Sequence, residues 1–142
     1  MALDGIGKRD VVAEGDSDTT GPFLVEEVKV DGGKVVRRLY FRNNENVVQT
    51  EVFWDVDQKD VDRWNLAFDY HKHISVGILV LGGSLPPTDT TNDDGVVIKG
   101  MMIGLGGGAL VNFLTKFIPA SRIAAVELDR HVVEIAASHF VF

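Results

Sequence analysis

The chain has 142 residues, 45% hydrophobic and 25% charged, with a formal net charge of -7 and no cysteine. This is the balance of a globular chain long enough to build one core, and it excludes wholesale disorder. The acidity argues against a nucleic-acid duplex and favours a cationic or basic-peptide ligand; the lack of cysteine removes disulfides, thiolate metal sites and a thiol nucleophile, and makes a cytoplasmic setting the default.

Residues 1–20 carry Gly5, Gly7, Gly15 and scattered aspartates without apolar periodicity, so they read as a disordered arm with no secretory h-region. Residues 21–54 read as a β-hairpin subdomain. Its strands are Phe23 to Val30, Lys34 to Arg42 and Val47 to Trp54, separated by Asp31-Gly32-Gly33 and Asn43-Asn44-Glu45-Asn46, residue types that tolerate positive φ. Alternation puts Val36, Arg38 and Tyr40 on one face and Val35, Arg37, Leu39 and Phe41 on the other.

Residues 55–83 read as a charged linker, Asp55 to Asp60, followed by a helix. Val61, Trp64, Phe68, His71, Ile74, Ile78 and Leu81 recur at helical spacing, and Gly82-Gly83 closes the run. Ser84 to Gly95 is a loop by its Pro86-Pro87 and Asn92-Asp93-Asp94-Gly95 content. Residues 84–142 then give a partial cofactor-binding domain of β-α-β-α form. Val96 to Ile103 is expected as a strand buried on both faces, Ala109 to Phe117 as a helix stopped by Pro119, Ile123 to Leu128 as a parallel strand, and Asp129 as the N-cap of a last helix. The uncharged stretch from Gly100 to Thr115 is too short and too rich in glycine to span a membrane.

The chemistry concentrates at Gly104-Leu105-Gly106-Gly107-Gly108, between the first parallel strand and its helix. Glycine permits positive φ and close approach of a ligand to backbone, while a helix start offers unpaired N–H groups. Glu127 follows at the spacing and strand-end position where a carboxylate meets an adenosine ribose. Gly104, Gly106 and Ala109 satisfy a dinucleotide fingerprint, and Gly104, Gly106 and Gly108 satisfy the G-x-G-x-G of S-adenosylmethionine methyltransferases; local physics leaves both open.

Other residues are read structurally. His73, His131 and His139 lack metal-ligand spacing, so no metal site is expected; Trp54 and Trp64 are assigned to packing; His71 is either a satisfied core histidine or a site residue.

Three segments occur in one order: Arg37 to Glu51, Asp69-Tyr70-His71-Lys72-His73-Ile74, and Ile103 to Gly108 followed by Val126-Glu127-Leu128-Asp129. Together they resemble the spermidine-synthase-like C-terminal domain of the methyltransferase family that modifies translation elongation factor one-alpha at lysine and the N-terminus. The similarity runs from about Gly21 to Phe142, with a shortened linker at residues 55–63. It implies an N-terminal β-hairpin meander followed by the first half of a Rossmann-like α/β methyltransferase sheet, with S-adenosylmethionine as cofactor and a protein, the elongation factor, as substrate. Gly104, Leu105, Gly106, Gly107 and Gly108 would line the cofactor, Glu127 would bind its ribose, and Gln49 matches a hairpin glutamine that reaches the cofactor in related aminopropyltransferases.

The chain also departs from these relatives. Tyr70-His71 stands where aminopropyltransferases have a tyrosine-glutamine pair. Met102 stands where generic methyltransferases carry an acid. Gly107 stands where aminopropyltransferases carry an aspartate, which disfavours polyamine synthesis. The resemblance stops at Phe142, so an incomplete fragment, inactive alone, is expected, with its catalytic residues unidentified and its strand edges open to oligomerisation. An aminopropyltransferase and a non-catalytic binding module are the alternatives.

Overall fold

The computed structural model describes residues 9–44, 47–84, 98–118 and 121–142. Residues 1–8 of the expected arm, Glu45-Asn46 of the second turn, the Pro86-Pro87 loop, Val96-Val97 and Pro119 lie outside the described residues.

The meander is larger than expected at both ends. Five antiparallel strands form one sheet in sequential order: β1 (Arg9–Ser17), β2 (Gly21–Lys29), β3 (Val35–Phe41), β4 (Val48–Asp55) and β5 (Asp60–Leu66). From Arg9 onward, therefore, the chain is not an arm. β1 pairs with β2 from Arg9↔Val28 to Ser17↔Gly21, with an irregularity between Val11 and Ala13. Most of β1 is exposed, so it adds an edge ladder more than core, and an edge needs no apolar alternation.

The second correction concerns residues 55–66. Asp55 Oδ1 accepts from the N–H groups of Asp57 at 3.0 Å and Gln58 at 2.9 Å, and Lys59 adopts φ +52°. These are the features of a tight turn, and they return the chain as β5. β5 pairs irregularly: Trp54 faces Val61, but Val52 faces Leu66. The extra residues between Val61 and Leu66 turn Trp64 outward and destroy the period-two pattern, leaving a spacing that imitates a helix. The helix itself, α1, spans Asp69–Ser84.

β6 (Ile98–Ile103), α2 (Ala109–Phe117), β7 (Ser121–Val126) and α3 (Arg130–His139) follow. β6 and β7 pair in parallel from Ile98↔Ser121 to Ile103↔Val126. These strands are not buried on both faces. Gly100, Met102, Ile123 and Ala125 share one face, and Met102 and Ile123 pack against the Leu66, Leu110 and Leu114 cluster. Met101, Ile103 and Val126 share the other and are exposed, because among the described residues only one face of this two-stranded sheet is covered.

The two halves meet chiefly through α2, whose Leu110 and Leu114 cluster with Leu66 of β5, and also through α3. Its Ile135 and the following Phe140, which is fully buried, pack into the cluster formed by Val25, Leu39, Val52 and Val61. Arg37 secures the same helix. Its guanidinium pairs with Glu27, lies 3.2 Å from the centroid of the Trp54 ring, and donates to the His139 carbonyl at 2.6 Å. A cation on the C-terminal carbonyls of a helix also complements the helix dipole. Among the described residues no helix is long and apolar enough to cross a membrane, which leaves strands unaddressed.

Candidate functional site

β6 ends by handing its ladder to the glycine turn. Gly104 N–H donates to the Val126 carbonyl at 2.8 Å, one residue beyond the strand. Gly104, Gly106 and Gly108 then adopt φ of +85°, +55° and +75°, the left-handed region that side chains disfavour. Their surroundings differ. A Cβ on Gly104 would meet nothing within 4 Å, whereas one on Gly106 would lie 2.5 Å from Thr50 Oγ1. On Gly107 it would lie 2.5 Å from Thr50 Cγ2 and 2.8 Å from Phe140 Cγ, and on Gly108 it would overlap the Phe142 ring. The last three glycines therefore allow the turn to seat against β4 and the residues after α3, while Gly104 leaves open space at the strand end.

Glu127, just past β7, closes onto this turn. Its Oε2 accepts from Leu105 N–H at 2.7 Å, and its Oε1 accepts from the N–H groups of Leu128 at 2.8 Å and Asp129 at 3.1 Å. A carboxylate has about four lone-pair sites, so Oε2 retains capacity for one further donor.

The turn and the carboxylate line a cavity of about 670 Å³. Gly104, Leu105, Gly106 and Gly107 contribute, as do Gln49, Thr50, Tyr70, His71 and Glu127, so four separate parts of the chain converge. Gly108 is not part of the lining; it is buried beneath the turn. Gln49 is placed by a bulge: β3 and β4 pair Leu39 with Thr50 and Tyr40 with Val48, skipping Gln49. Bulges re-aim side chains in this way beside binding sites.

Tyr70 and His71 come from the first turn of α1, their rings 4.2 Å apart, with Phe68 stacked on Tyr70 at 5.3 Å. His71 is half-buried, and its Nδ1 is buried with no hydrogen-bond partner. Burial holds the imidazole below the usual histidine pKa and raises the Tyr70 phenol above its usual value.

Two supports are absent from the sequence reading. Thr50 Oγ1 accepts from Gly107 N–H at 2.7 Å, tying the turn to β4. Its only sequence signal is a hydroxyl beside Gln49. Ser17 and Thr20, from the β1–β2 turn, both donate to Asp129 Oδ2, at 2.6 and 2.5 Å. Asp129 also caps α3 as expected, accepting from His131 N–H at 2.9 Å. Burial opposes the Asp129 charge, but the Ser17, Thr20 and His131 hydrogen bonds outweigh it and hold the carboxyl below its usual range.

No family model matches the chain. It is 37% identical to the eEF1A lysine and N-terminal methyltransferase homolog of Drosophila pseudoobscura pseudoobscura, over 95% of this chain and 20% of that protein. It is 30% identical to the eEF1A lysine and N-terminal methyltransferase of Danio rerio, over 96% of this chain and 23% of that protein. A probable spermidine synthase from Corynebacterium glutamicum superposes with a TM-score of 0.60 over 90% of this chain and 39% of that one; at 13% identity the likeness is one of fold. The chain spans about a fifth of the length of the curated relatives it matches, and along nearly all of its own length it is a relative of one segment of the eEF1A lysine and N-terminal methyltransferases.

Proposed function

We propose that this chain supplies the adenosyl-binding part of an S-adenosylmethionine-dependent protein methyltransferase. Its acceptor would be an amine, either a lysine side chain or a protein N-terminus, on a translation elongation factor. The observation that carries the reading is the convergence of Glu127, the glycine turn and the bulged Gln49 on one cavity. β6, α2, β7 and α3 are read as the first half of a Rossmann-like sheet, and the antiparallel sheet as the subdomain preceding it.

The residues present fit such a cofactor. Gly104 leaves open space where a Cβ would otherwise stand, and Glu127 Oε2 keeps room for one ribose hydroxyl. Gln49 brings an amide with two donors and an acceptor from another wall. When bound, the cofactor supplies a sulfonium methyl as electrophile. The chain's task is placement, which carries much of the rate in such a transfer. The net charge of -7 suits a basic protein substrate.

The fold likeness to a spermidine synthase keeps aminopropyl transfer as the second reading. It is disfavoured at Gly107, where the resemblance to aminopropyltransferases implies an aspartate. Here Thr50 and Phe140 leave no space for a side chain.

Calorimetry on the chain with S-adenosylmethionine, its decarboxylated form and NAD tests the proposal. S-adenosylmethionine is expected to bind best and NAD not at all. Preference for the decarboxylated form would favour the aminopropyl reading, preference for NAD would point to a dinucleotide site, and failure of all three would leave a module that only binds partners.

A further inference from the structure

Asp129 stands just after Glu127 and links it to the β1–β2 turn at the edge of the antiparallel sheet. The Asp129 side chain is buried, and its Oδ2 accepts from the Ser17 hydroxyl at 2.6 Å and the Thr20 hydroxyl at 2.5 Å. Its Oδ1 accepts from His131 N–H, so both carboxylate oxygens are engaged. The backbone N–H of Asp129 donates to Glu127 Oε1 at 3.1 Å, and the other Glu127 oxygen accepts from Leu105 N–H at 2.7 Å. A continuous run of hydrogen bonds therefore leads from the β1–β2 turn, through Asp129 and Glu127, to the glycine turn.

The head of this run is itself fixed. Ser17, 3% exposed, accepts from the N–H groups of Thr19 at 3.1 Å and Thr20 at 3.2 Å while its own proton goes to Asp129. Asn43 Nδ2 donates to the Thr20 carbonyl at 3.4 Å, tying the turn to the residues after β3. Thr20 lies on the cavity lining and Ser17 does not. Without the two hydroxyl donors a buried carboxylate oxygen would be left unpaired. That cost turns the Asp129 side chain toward water and draws its N–H off Glu127.

Resting on the methyltransferase reading, we propose that Ser17 and Thr20 are positioning residues for the cofactor: by holding Asp129 they fix the Glu127 carboxylate in the orientation that meets the ribose. Their action runs through Asp129 and requires no contact of either hydroxyl with the ligand. The β1–β2 hairpin is thereby part of the framework of the site, although most of β1 is exposed and adds little to the core.

The test combines calorimetry with S-adenosylmethionine and amide NMR on the full chain. Thr20→Val keeps the shape of an exposed residue and removes the donor, and it is expected to weaken binding about threefold to tenfold, the equivalent of one typical hydrogen bond. Thr20→Ser, which keeps the donor, should bind as the unmodified chain does, and Ser17→Ala should weaken binding at least as much as Thr20→Val. In ligand-free Thr20→Val and Ser17→Ala the Leu105 amide resonance should move, because its acceptor is Glu127 Oε2; a general loss of stability would not single out that amide. In the unmodified chain, S-adenosylmethionine should reciprocally move the Thr19 amide, which donates to Ser17 Oγ and lies off the cavity lining, a readout that requires no variant to fold. Suppose S-adenosylmethionine binds the unmodified chain, but Thr20→Val binds equally well, Thr20→Ser binds as weakly as Thr20→Val, or the Leu105 and Thr19 amides stay in place. The positioning role is then wrong and the cofactor site stands. If S-adenosylmethionine does not bind the unmodified chain, the methyltransferase reading itself fails and the inference falls with it.

Discussion

Thr50 and Gly107, 57 positions apart, are joined by a 2.7 Å hydrogen bond from a buried glycine N–H to a threonine hydroxyl. The antiparallel sheet therefore holds the glycine turn directly, through a backbone donor on that turn. Thr50→Val keeps the shape and removes the acceptor. It should cost about 1–3 kcal/mol, the penalty of leaving a buried N–H unpaired. Urea unfolding measures this, and an unchanged midpoint would mean that water replaces the hydroxyl without loss.

Glu127 makes the complementary prediction on the other side of the turn. Glu127→Ala removes the acceptor of three backbone N–H groups together with the proposed ribose contact, so S-adenosylmethionine affinity should fall at least about tenfold. Glu127→Gln should also bind weakly, because an amide cannot present acceptors at both oxygen positions. Unaltered dissociation constants by calorimetry would remove Glu127 from the site.

The glycines can be told apart by paired substitution. Gly104→Ala meets only the backbone cost of a left-handed residue, about 1–2 kcal/mol, while placing a methyl in the open space of the cavity. Gly107→Ala drives a methyl into Thr50 and Phe140, overpacking that costs about 1–3 kcal/mol. Gly104→Ala should therefore lose affinity beyond what its loss of stability explains, and Gly107→Ala should lose mainly stability. Identical melting and binding for the two variants would contradict the distinction.

Stability should depend on pH through His71 and His139. Burial depresses both, and Arg37 adds to the effect at His139. The unfolded chain takes up these protons near the ordinary histidine value of about 6.5, while the folded chain resists until lower pH. The contribution is full above about pH 7, declines as pH falls through 6.5, and levels off once the folded histidines protonate. Asp129, also depressed, acts in the same direction at lower pH. Urea midpoints at pH 7.5 and 5.5 should differ, and His139→Gln should narrow the difference.

The legible parts of the sequence were those whose backbone demands are local. The glycine turn adopts the positive φ its glycines permit and Asp129 caps the helix that follows it, while Gln49 lines the cavity and Gly108 lies beneath it. The parts that misled are set by distant partners. β1 owes its form to β2, and the irregular pairing opposite β4 gave β5 a helical spacing. The apolar runs of β6 and β7 suggested burial on both faces, yet Ile103 is 84% exposed. Thr50 could not be read as a support because what it touches lies 57 residues onward.

The placement of Phe140 has a consequence for folding. The sheet made from residues 9–66 completes its core only when Ile135 and Phe140 arrive, and Arg37 finds the His139 carbonyl 102 positions later. Closure over such separations is entropically expensive and slow. Val25, Leu39 and Val52 share one cluster with residues that lie about 80 to 115 positions further along the chain.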